Sequence, residues 1–393
     1  MNELFIIAAP GLEPLCAEEA AALFGAREVS VVSGGVTMRG DLALLYRANL
    51  ELRCASRVLL RLGQFRARDF AALCRALQKL PLSTVAAPSS RVAVRVTAHR
   101  SRLYHTGAIA ERVLSTLAER GLHRDDGEPG LSLFLRAEDD VFTVSADTSG
   151  ELLHQRGYRK EGGEAPLRET LAAALLRLAS YAGSDGEPLA DPTCGSGTLA
   201  IEGALAACRR APGLQRDFAF QRWPSYQPER YAALCAEAKA RERRVDKGLV
   251  LAGDISPEAL AVAQRNAERA GVAELIRFEC RDVASARLPA GRPGLVLCNP
   301  PYGKRISDGN LRQLYRAIGQ YARSAPRWRL GLIGPAAAVS LLRAASRHFE
   351  TLPLDNGGLR IAFCLSTPLP RIVRGEYAGS QATPKESAQE VGT

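Results

Sequence analysis

The residues best equipped for chemistry are Asn299, Pro300, Pro301 and Tyr302, which follow the apolar run Leu295, Val296, Leu297 and Cys298. That run reads as a buried strand, and two consecutive prolines force the chain out of a sheet. Asn299 therefore stands at the carboxyl end of a strand, where open α/β sheets take their ligands. The Asn299 carboxamide oxygen and the Pro300 carbonyl are neutral acceptors suited to both hydrogens of an exocyclic amino group, and Tyr302 offers a flat face for a base. An amine conjugated to a heteroaromatic ring is a poor nucleophile. Two acceptors can hold it out of the ring plane, free its lone pair for an electrophilic methyl group, and meet the positive charge that develops. No general base is needed before transfer, because the proton can leave afterwards. A proline-rich turn after a core strand is the competing reading, and the rest of the chain has to decide.

A second stretch, Asp191-Pro192-Thr193-Cys194-Gly195-Ser196-Gly197-Thr198, opens a helix of Leu, Ala and Ile. Its glycines match a turn that brings backbone close to a ligand at a helix N-terminus. Dinucleotide binding is disfavoured, because the next strand's terminal acid lies well beyond the usual spacing of ~20 residues. That strand, Leu249 to Ala252, ends in Gly253-Asp254, a carboxylate placed to accept from ribose hydroxyls, and the strand Ile276 to Cys280 leads to Asp282. Each Asp alone reads as a turn former or cap. Three of them around a glycine turn, with Asn299 on the next strand, are hard to attribute to turns.

The elements that must position these residues alternate along the second half of the chain. A helix is expected over 168–181, Ser256 and Pro257 start another that stops near Gly271, and a helix over 311–325, a strand over 330–333 and a helix over 339–346 follow. Asn356-Gly357 between two apolar runs signals a closing hairpin. A parallel α/β sheet that finishes in an antiparallel hairpin is the layout of S-adenosylmethionine-dependent methyltransferases. Residues 1–52 carry a β-α-β-β-α order of ferredoxin-like type, and 53–150 a second α/β module. Residues 151–165 form a polar linker, 166–375 the catalytic domain with an insertion at about 205–247, and 376–393 a polar tail expected to be disordered.

Net charge is +10, and it is unevenly spread. Residues 53–124 hold 14 Lys and Arg against three Asp and Glu, while 1–52 hold three against seven and 125–150 one against seven. A basic block between acidic neighbours is a candidate surface for a polyanion. Within it, His99-Arg100-Ser101-Arg102-Leu103-Tyr104-His105 reads as a loop able to pair with phosphates and stack on a base; an ordinary solvated connection is the alternative. The nine cysteines include no Cys-x-x-Cys pair and the five histidines are dispersed, so neither a metal site nor a disulfide framework is expected. No apolar stretch approaches a membrane span, and a cytoplasmic protein is expected.

With these residues in view, the chain resembles the bacterial THUMP-domain RNA guanine-N2 methyltransferases, those of large-subunit ribosomal RNA above all. The resemblance rests on Leu153 to Arg159, Ala165 to Glu169, Asp191 to Thr198, Asp217 to Pro224 and Asn299 to Tyr302. It implies a Rossmann-like class I methyltransferase domain behind ferredoxin-like and THUMP α+β modules, S-adenosyl-L-methionine as cofactor, and N2-methylguanosine in 23S rRNA as product. It further implies that the backbone from Asp191 to Gly197 cradles the methionine part of the cofactor. Asp254 with Ile255 would hold the ribose end, Asp282 with Val283 would face the adenine, and Leu167, Thr170 and Asn299 would border the cofactor. Arg95, Arg100, Arg102 and Tyr104 would touch RNA, as would Lys304 and Arg305 at the lip of the site, where relatives often carry an acid. The aromatics Phe218, Phe220 and Trp223 of the insertion are expected to form local core. The same four-residue pocket also serves tRNA guanine-N2, adenine-N6 and glutamine-N5 methylation, and a non-enzymatic RNA-binding assembly factor is the reading from another class.

Overall fold

The computed structural model describes residues 2–25, 29–125, 130–161, 167–183, 185–289, 291–301, 308–335, 342, 348–356 and 359–374. Tyr302, Lys304, Arg305, most of the helix expected over 339–346, the Gly357-Gly358 turn and the tail lie outside those residues.

In the N-terminal half, β1 (Asn2–Ile7), α1 (Glu13–Phe24), β2 (Ser30–Val32), β3 (Gly35–Gly40), α2 (Leu42–Glu51) and β4 (Arg57–Arg66) make the ferredoxin-like set. They are followed by α3 (Phe70–Leu77), β5 (Arg91–His99), α4 (Thr106–Ala118), β6 (His123–Arg124), β7 (Leu131–Glu138) and β8 (Val141–Asp147). All the strands join one sheet in the order β2-β3-β1-β4-β8-β7-β5-β6. The joint is β4. Its first half pairs with β1, Leu60 opposite Leu4, while most of its length pairs with β8 across a register shift between Arg61 and Gly63. The two modules thus share a backbone ladder. Side chains alternate as expected for a sheet covered on one face: Leu4, Ile6, Leu60, Leu133, Leu135 and Val144 are buried, whereas Arg39, Arg95, Thr97 and Arg136 are exposed. α2 and α3 start at acids that cap them, Asp41 accepting from Leu44 N at 3.1 Å and Asp69 from Ala72 N at 2.8 Å.

The C-terminal half contains α5 (Glu169–Leu178), β9 (Leu189–Asp191), α6 (Thr198–Ala207), α7 (Pro228–Ala240), β10 (Val250–Asp254), α8 (Pro257–Ala270) and β11 (Ile276–Cys280). It continues through β12 (Leu295–Cys298), α9 (Asp308–Arg323), β13 (Arg329–Gly334), β14 (Glu350–Asn356), β15 (Leu359–Leu365) and α10 (Arg371–Arg374). Its sheet runs β11-β10-β9-β12-β13-β15-β14. The first five are parallel and β15 is antiparallel to both neighbours. The chain winds outward from β9 to β11, then returns to place β12 on the other side of β9. That reversal opens a crevice at the carboxyl ends of β9 and β12. All four residues of β12 are buried, as a strand covered on both faces requires.

The two halves are locked by the insertion. Phe218, Phe220 and Trp223 are buried, and Phe220 stacks on Tyr46 of α2 with ring centroids 4.6 Å apart, Tyr231 of α7 packing edge-on at 5.7 Å. The local core expected of these aromatics therefore also grips the ferredoxin-like unit. Arg216 adds polar ties, donating to the carbonyls of Leu152, Gln155, Ser149 and Glu151. No helix among the described residues is long and apolar enough to cross a membrane.

Candidate active site and cofactor cradle

The site is built at the β9/β12 crevice from four strand ends. Asp191 closes β9, is only 2% exposed, and accepts from Thr193 N at 3.3 Å. Burial, with the nearby Asp254 charge adding to it against that hydrogen bond, pushes the Asp191 carboxyl up to about 8. The chain then turns over Pro192 to Gly197, pinned by Cys194 N donating to Gly253 O at 2.8 Å and by Gly197 N closing on Cys194 O at 2.8 Å. Two of its residues need left-handed backbone, Gly195 at φ +54 and Gly197 at φ +85. Their surroundings differ. A Cβ on Gly197 would meet the Ala263 Cβ of α8 at 3.0 Å, so this glycine lets α6 and α8 pack, whereas a Cβ on Gly195 would point into open space.

Asp254, at the end of β10, uses both oxygens locally: Oδ2 accepts from Gly195 N at 2.9 Å and Oδ1 from Ser256 N at 3.0 Å. A carboxylate has about four lone-pair sites, so two stay open to hydroxyl donors. Ile255 beside it is 70% exposed, an apolar side chain standing in solvent next to a carboxylate. Asp282 caps its own turn, Oδ1 accepting from Ala284 N at 2.9 Å, and stays exposed, while Val283 is buried. Leu167 and Thr170 are buried at the start of α5.

Beside the start of α5 lies a pair whose contact the sequence did not reveal. Arg159 Nη2 donates to Glu169 Oε2 at 2.7 Å and its Nη1 to Leu167 O at 3.0 Å, with Thr198 Oγ1 at 3.5 Å. Burial pushes the Glu169 carboxyl up to about 7 even against the pull of Arg159. Arg159 thereby ties the start of α5 to the start of α6, the two backbone segments that flank the glycine turn. In the sequence Arg159 and Glu169 stood out only as members of the resembling stretches Leu153 to Arg159 and Ala165 to Glu169.

Asn299 leaves the end of β12 half-buried, between buried Cys298 and buried Pro300. Its Oδ1 is shielded from solvent and has no hydrogen-bond partner among the described residues, and the same holds for Thr193 Oγ1 in the turn. A buried acceptor without a donor is destabilising by about 1–3 kcal/mol, so the site is shaped for something that brings an N–H. The residues present fit an adenosyl and amino-acid ligand: an open glycine cradle, a carboxylate with spare acceptors, an exposed apolar side chain beside it, and a buried acid able to answer a cation. Asp191, the glycine turn, Asp254 and Asn299 are brought together at one sheet edge. Arg95, Arg100, Arg102 and Tyr104 are not part of it; they sit on β5 and the loop after it. There Tyr104 is 64% exposed with its ring 4.0 Å from that of His105, and Arg100 Nη2 pairs with Asp139 at 3.0 Å.

Comparison with known proteins agrees with this fold. Residues 156–360 match the model of the RMKL-like methyltransferase domain, and residues 3–59 that of the RlmL ferredoxin-like domain. A predicted N6-adenine-specific DNA methylase from Listeria monocytogenes is 31% identical with a TM-score of 0.83, covering 93% of this chain and 96% of its own. A possible methylase from Clostridium difficile 630 is 30% identical, also at 0.83, covering 94% and 98%. SMU.472, a candidate methyltransferase complexed with S-adenosylhomocysteine, is 26% identical at 0.81, covering 93% and 97%.

Proposed function

The chain belongs to the RMKL-like methyltransferase family, S-adenosylmethionine-dependent enzymes of the nucleic-acid methylase type, and from that premise we propose that it methylates the N2 amine of a guanosine in RNA, 23S rRNA being the favoured substrate. The observation that carries the reading is Asn299 Oδ1, shielded from solvent at the switch point of the sheet and without a hydrogen-bond partner among the described residues. Bound there, S-adenosylmethionine supplies an electrophilic methyl group on a sulfonium sulfur. Asn299 Oδ1 and the Pro300 carbonyl accept the two amine hydrogens and turn the lone pair out of conjugation. As the N–C bond forms and the methyl–sulfur bond breaks, leaving neutral S-adenosylhomocysteine, positive charge on nitrogen would be met by the same two oxygens, and the surplus proton would then pass to solvent. Asp191 to Gly197, Asp254 with Ile255, Asp282 with Val283, and Leu167 with Thr170 are the proposed cofactor contacts, and Tyr302 the proposed stacking partner of the base.

Support for RNA comes from the N-terminal half, which we read as a ferredoxin-like unit joined to a THUMP module, in a cytoplasmic enzyme. Arg95, Arg102 and Tyr104 present charge and an aromatic ring to solvent on β5 and its loop. Arg100 is less free, since Glu138 and Asp139 of the β7–β8 hairpin pair with it. A second reading, methylation of adenine N6 in DNA, is favoured by the description of the Listeria monocytogenes relative. The two are separated by product. Unmodified RNA and, in parallel, DNA from a deletion strain are incubated with protein and labelled cofactor and digested to nucleosides; N2-methylguanosine from the RNA is expected, and label in N6-methyl-2′-deoxyadenosine from the DNA instead would replace the proposal with the second reading.

A further inference from the structure

A second cavity, of about 560 Å³, lies where the ferredoxin-like unit meets the catalytic domain, between α1, α5, α6 and the end of α7. Its volume falls within the ~300–1,000 Å³ range of small-molecule sites. Four polar atoms that line it are shielded from solvent and have no hydrogen-bond partner among the described residues: Arg53 Nη1, Arg177 Nε, Tyr181 Oη and Glu202 Oε2. Tyr181 is 4% exposed and Glu202 1%. Arg53 Nη1 and Glu202 Oε2 stand 3.9 Å apart, too far to satisfy each other by a hydrogen bond. The cofactor site offers an internal standard, because Thr193 Oγ1 and Asn299 Oδ1 are in the same condition there. Among the described residues, four such atoms thus share this one cavity.

Charge selects the occupant. Five arginines (53, 177, 209, 241 and 243) line the cavity against three glutamates (19, 51 and 202), and one of the five, Arg177, is already paired with Glu18 at 2.9 Å. Glu19 is already committed to the backbone N–H groups of Arg53 and Cys54, and Glu51 is shared between Arg47 and Arg241. Water could serve the unpaired atoms one by one, but it cannot offset an excess of guanidinium charge; an anion can, and arginine suits phosphate oxygens. Glu202 Oε2 at the buried end asks in addition for an N–H or O–H donor. Arg209 and Arg241 are exposed and mark the open end. We propose that this cavity binds a nucleotide-sized phosphorylated ligand, its phosphates held by Arg209 and Arg241 and its donor-bearing end by Glu202 and Arg53. The site would bridge the two halves of the chain and is separate from the methyl-transfer crevice, so it stands whether or not the guanosine reading does.

The test is calorimetry of the full-length protein with ATP, GTP, GMP and pyrophosphate, with and without saturating S-adenosylhomocysteine. At least one nucleotide is expected to bind one-to-one with Kd below about 100 µM in the presence of S-adenosylhomocysteine. The double variant Arg209→Ala/Arg241→Ala should weaken it at least tenfold while leaving S-adenosylhomocysteine affinity unchanged, and Glu202→Gln should weaken the nucleotide more than pyrophosphate. Absence of heat with all four probes at millimolar concentration would overturn the proposal. So would displacement by S-adenosylhomocysteine, which would place the probe in the cofactor site, or unaltered nucleotide affinity in the double variant. A short RNA oligonucleotide that competes for the site more tightly than any free nucleotide would assign the phosphate to a nucleic-acid chain and equally overturn the proposal as stated.

Discussion

Replacing each glycine of the cofactor turn by alanine separates architecture from ligand binding. Both positions need φ > 0, which is unfavourable for an L residue by about 1–2 kcal/mol, offset by up to ~1 kcal/mol because alanine restricts the unfolded chain. At Gly195 nothing lies within 4 Å of the new Cβ, so Gly195→Ala should lose only about 1 kcal/mol of stability. At Gly197 the methyl would press on Ala263 Cβ at 3.0 Å, on Ala263 Cα at 3.3 Å and on Ile201 Cδ1 at 3.4 Å, two of them on α8, a helix with its own packing. Overpacking of that kind adds about 1–3 kcal/mol, so Gly197→Ala should lose roughly 2–4 kcal/mol. Cofactor affinity should show the reverse emphasis. The Gly195 methyl would fill the open side of the cradle and weaken S-adenosylhomocysteine binding at least tenfold, about 1.4 kcal/mol. Urea midpoints and calorimetry on the two variants measure both quantities. Wild-type S-adenosylhomocysteine affinity in Gly195→Ala, or a larger stability loss there than at Gly197, would refute the reasoning.

Other expectations concern charge. With its pKa raised to about 8 by burial, Asp191 holds a proton at neutral pH in the free protein; because its unfolded value is near 3.8, its contribution to stability is full below that pH and is lost as pH rises toward 8. A cationic ligand beside it favours the carboxylate, so S-adenosylmethionine affinity should rise from pH 6 to 8 with proton release seen as a buffer-dependent heat, and Asp191→Asn should flatten that rise; pH-independent binding in the wild type would contradict this. At the RNA surface, Arg102→Ala should weaken RNA binding by roughly 1 kcal/mol and lower the salt slope by ~0.7–0.9. Arg100→Ala should do less, since Asp139 already holds that guanidinium, and a larger effect at Arg100 than at Arg102 in salt titrations would reverse the assignment.

Much of the fold was legible because its signals are local. The apolar run into two prolines marked β12, the closing strand Leu359–Leu365 matched the apolar run read there, and Ser256-Pro257 with Gly271 bounded α8, whose N-cap Ser256 Oγ accepts from Ala259 N at 3.1 Å. Helix Pro228–Ala240 was not anticipated, for it buries only Tyr231 and Ala238 and carries little apolar periodicity. β4 runs from Arg57 to Arg66 through Gly63 and Gln64, and the register shift by which it joins the two modules is a pairing that the sequence pattern does not show. The double use of Asp254, whose oxygens hold the glycine turn and the start of α8, and the Arg159–Glu169 tie depend on three-dimensional neighbours that spacing along the chain does not reveal.

The central claim is that the Asn299 carboxamide acts on the amine rather than on the cofactor. The most direct measurement is Asn299→Ala assayed for S-adenosylhomocysteine affinity and single-turnover methylation side by side. The account predicts affinity within about threefold of wild type and methylation reduced by roughly 10²–10³, the scale for deleting one preorganised hydrogen-bonding group. Lost cofactor affinity, or turnover that survives the substitution, would contradict it.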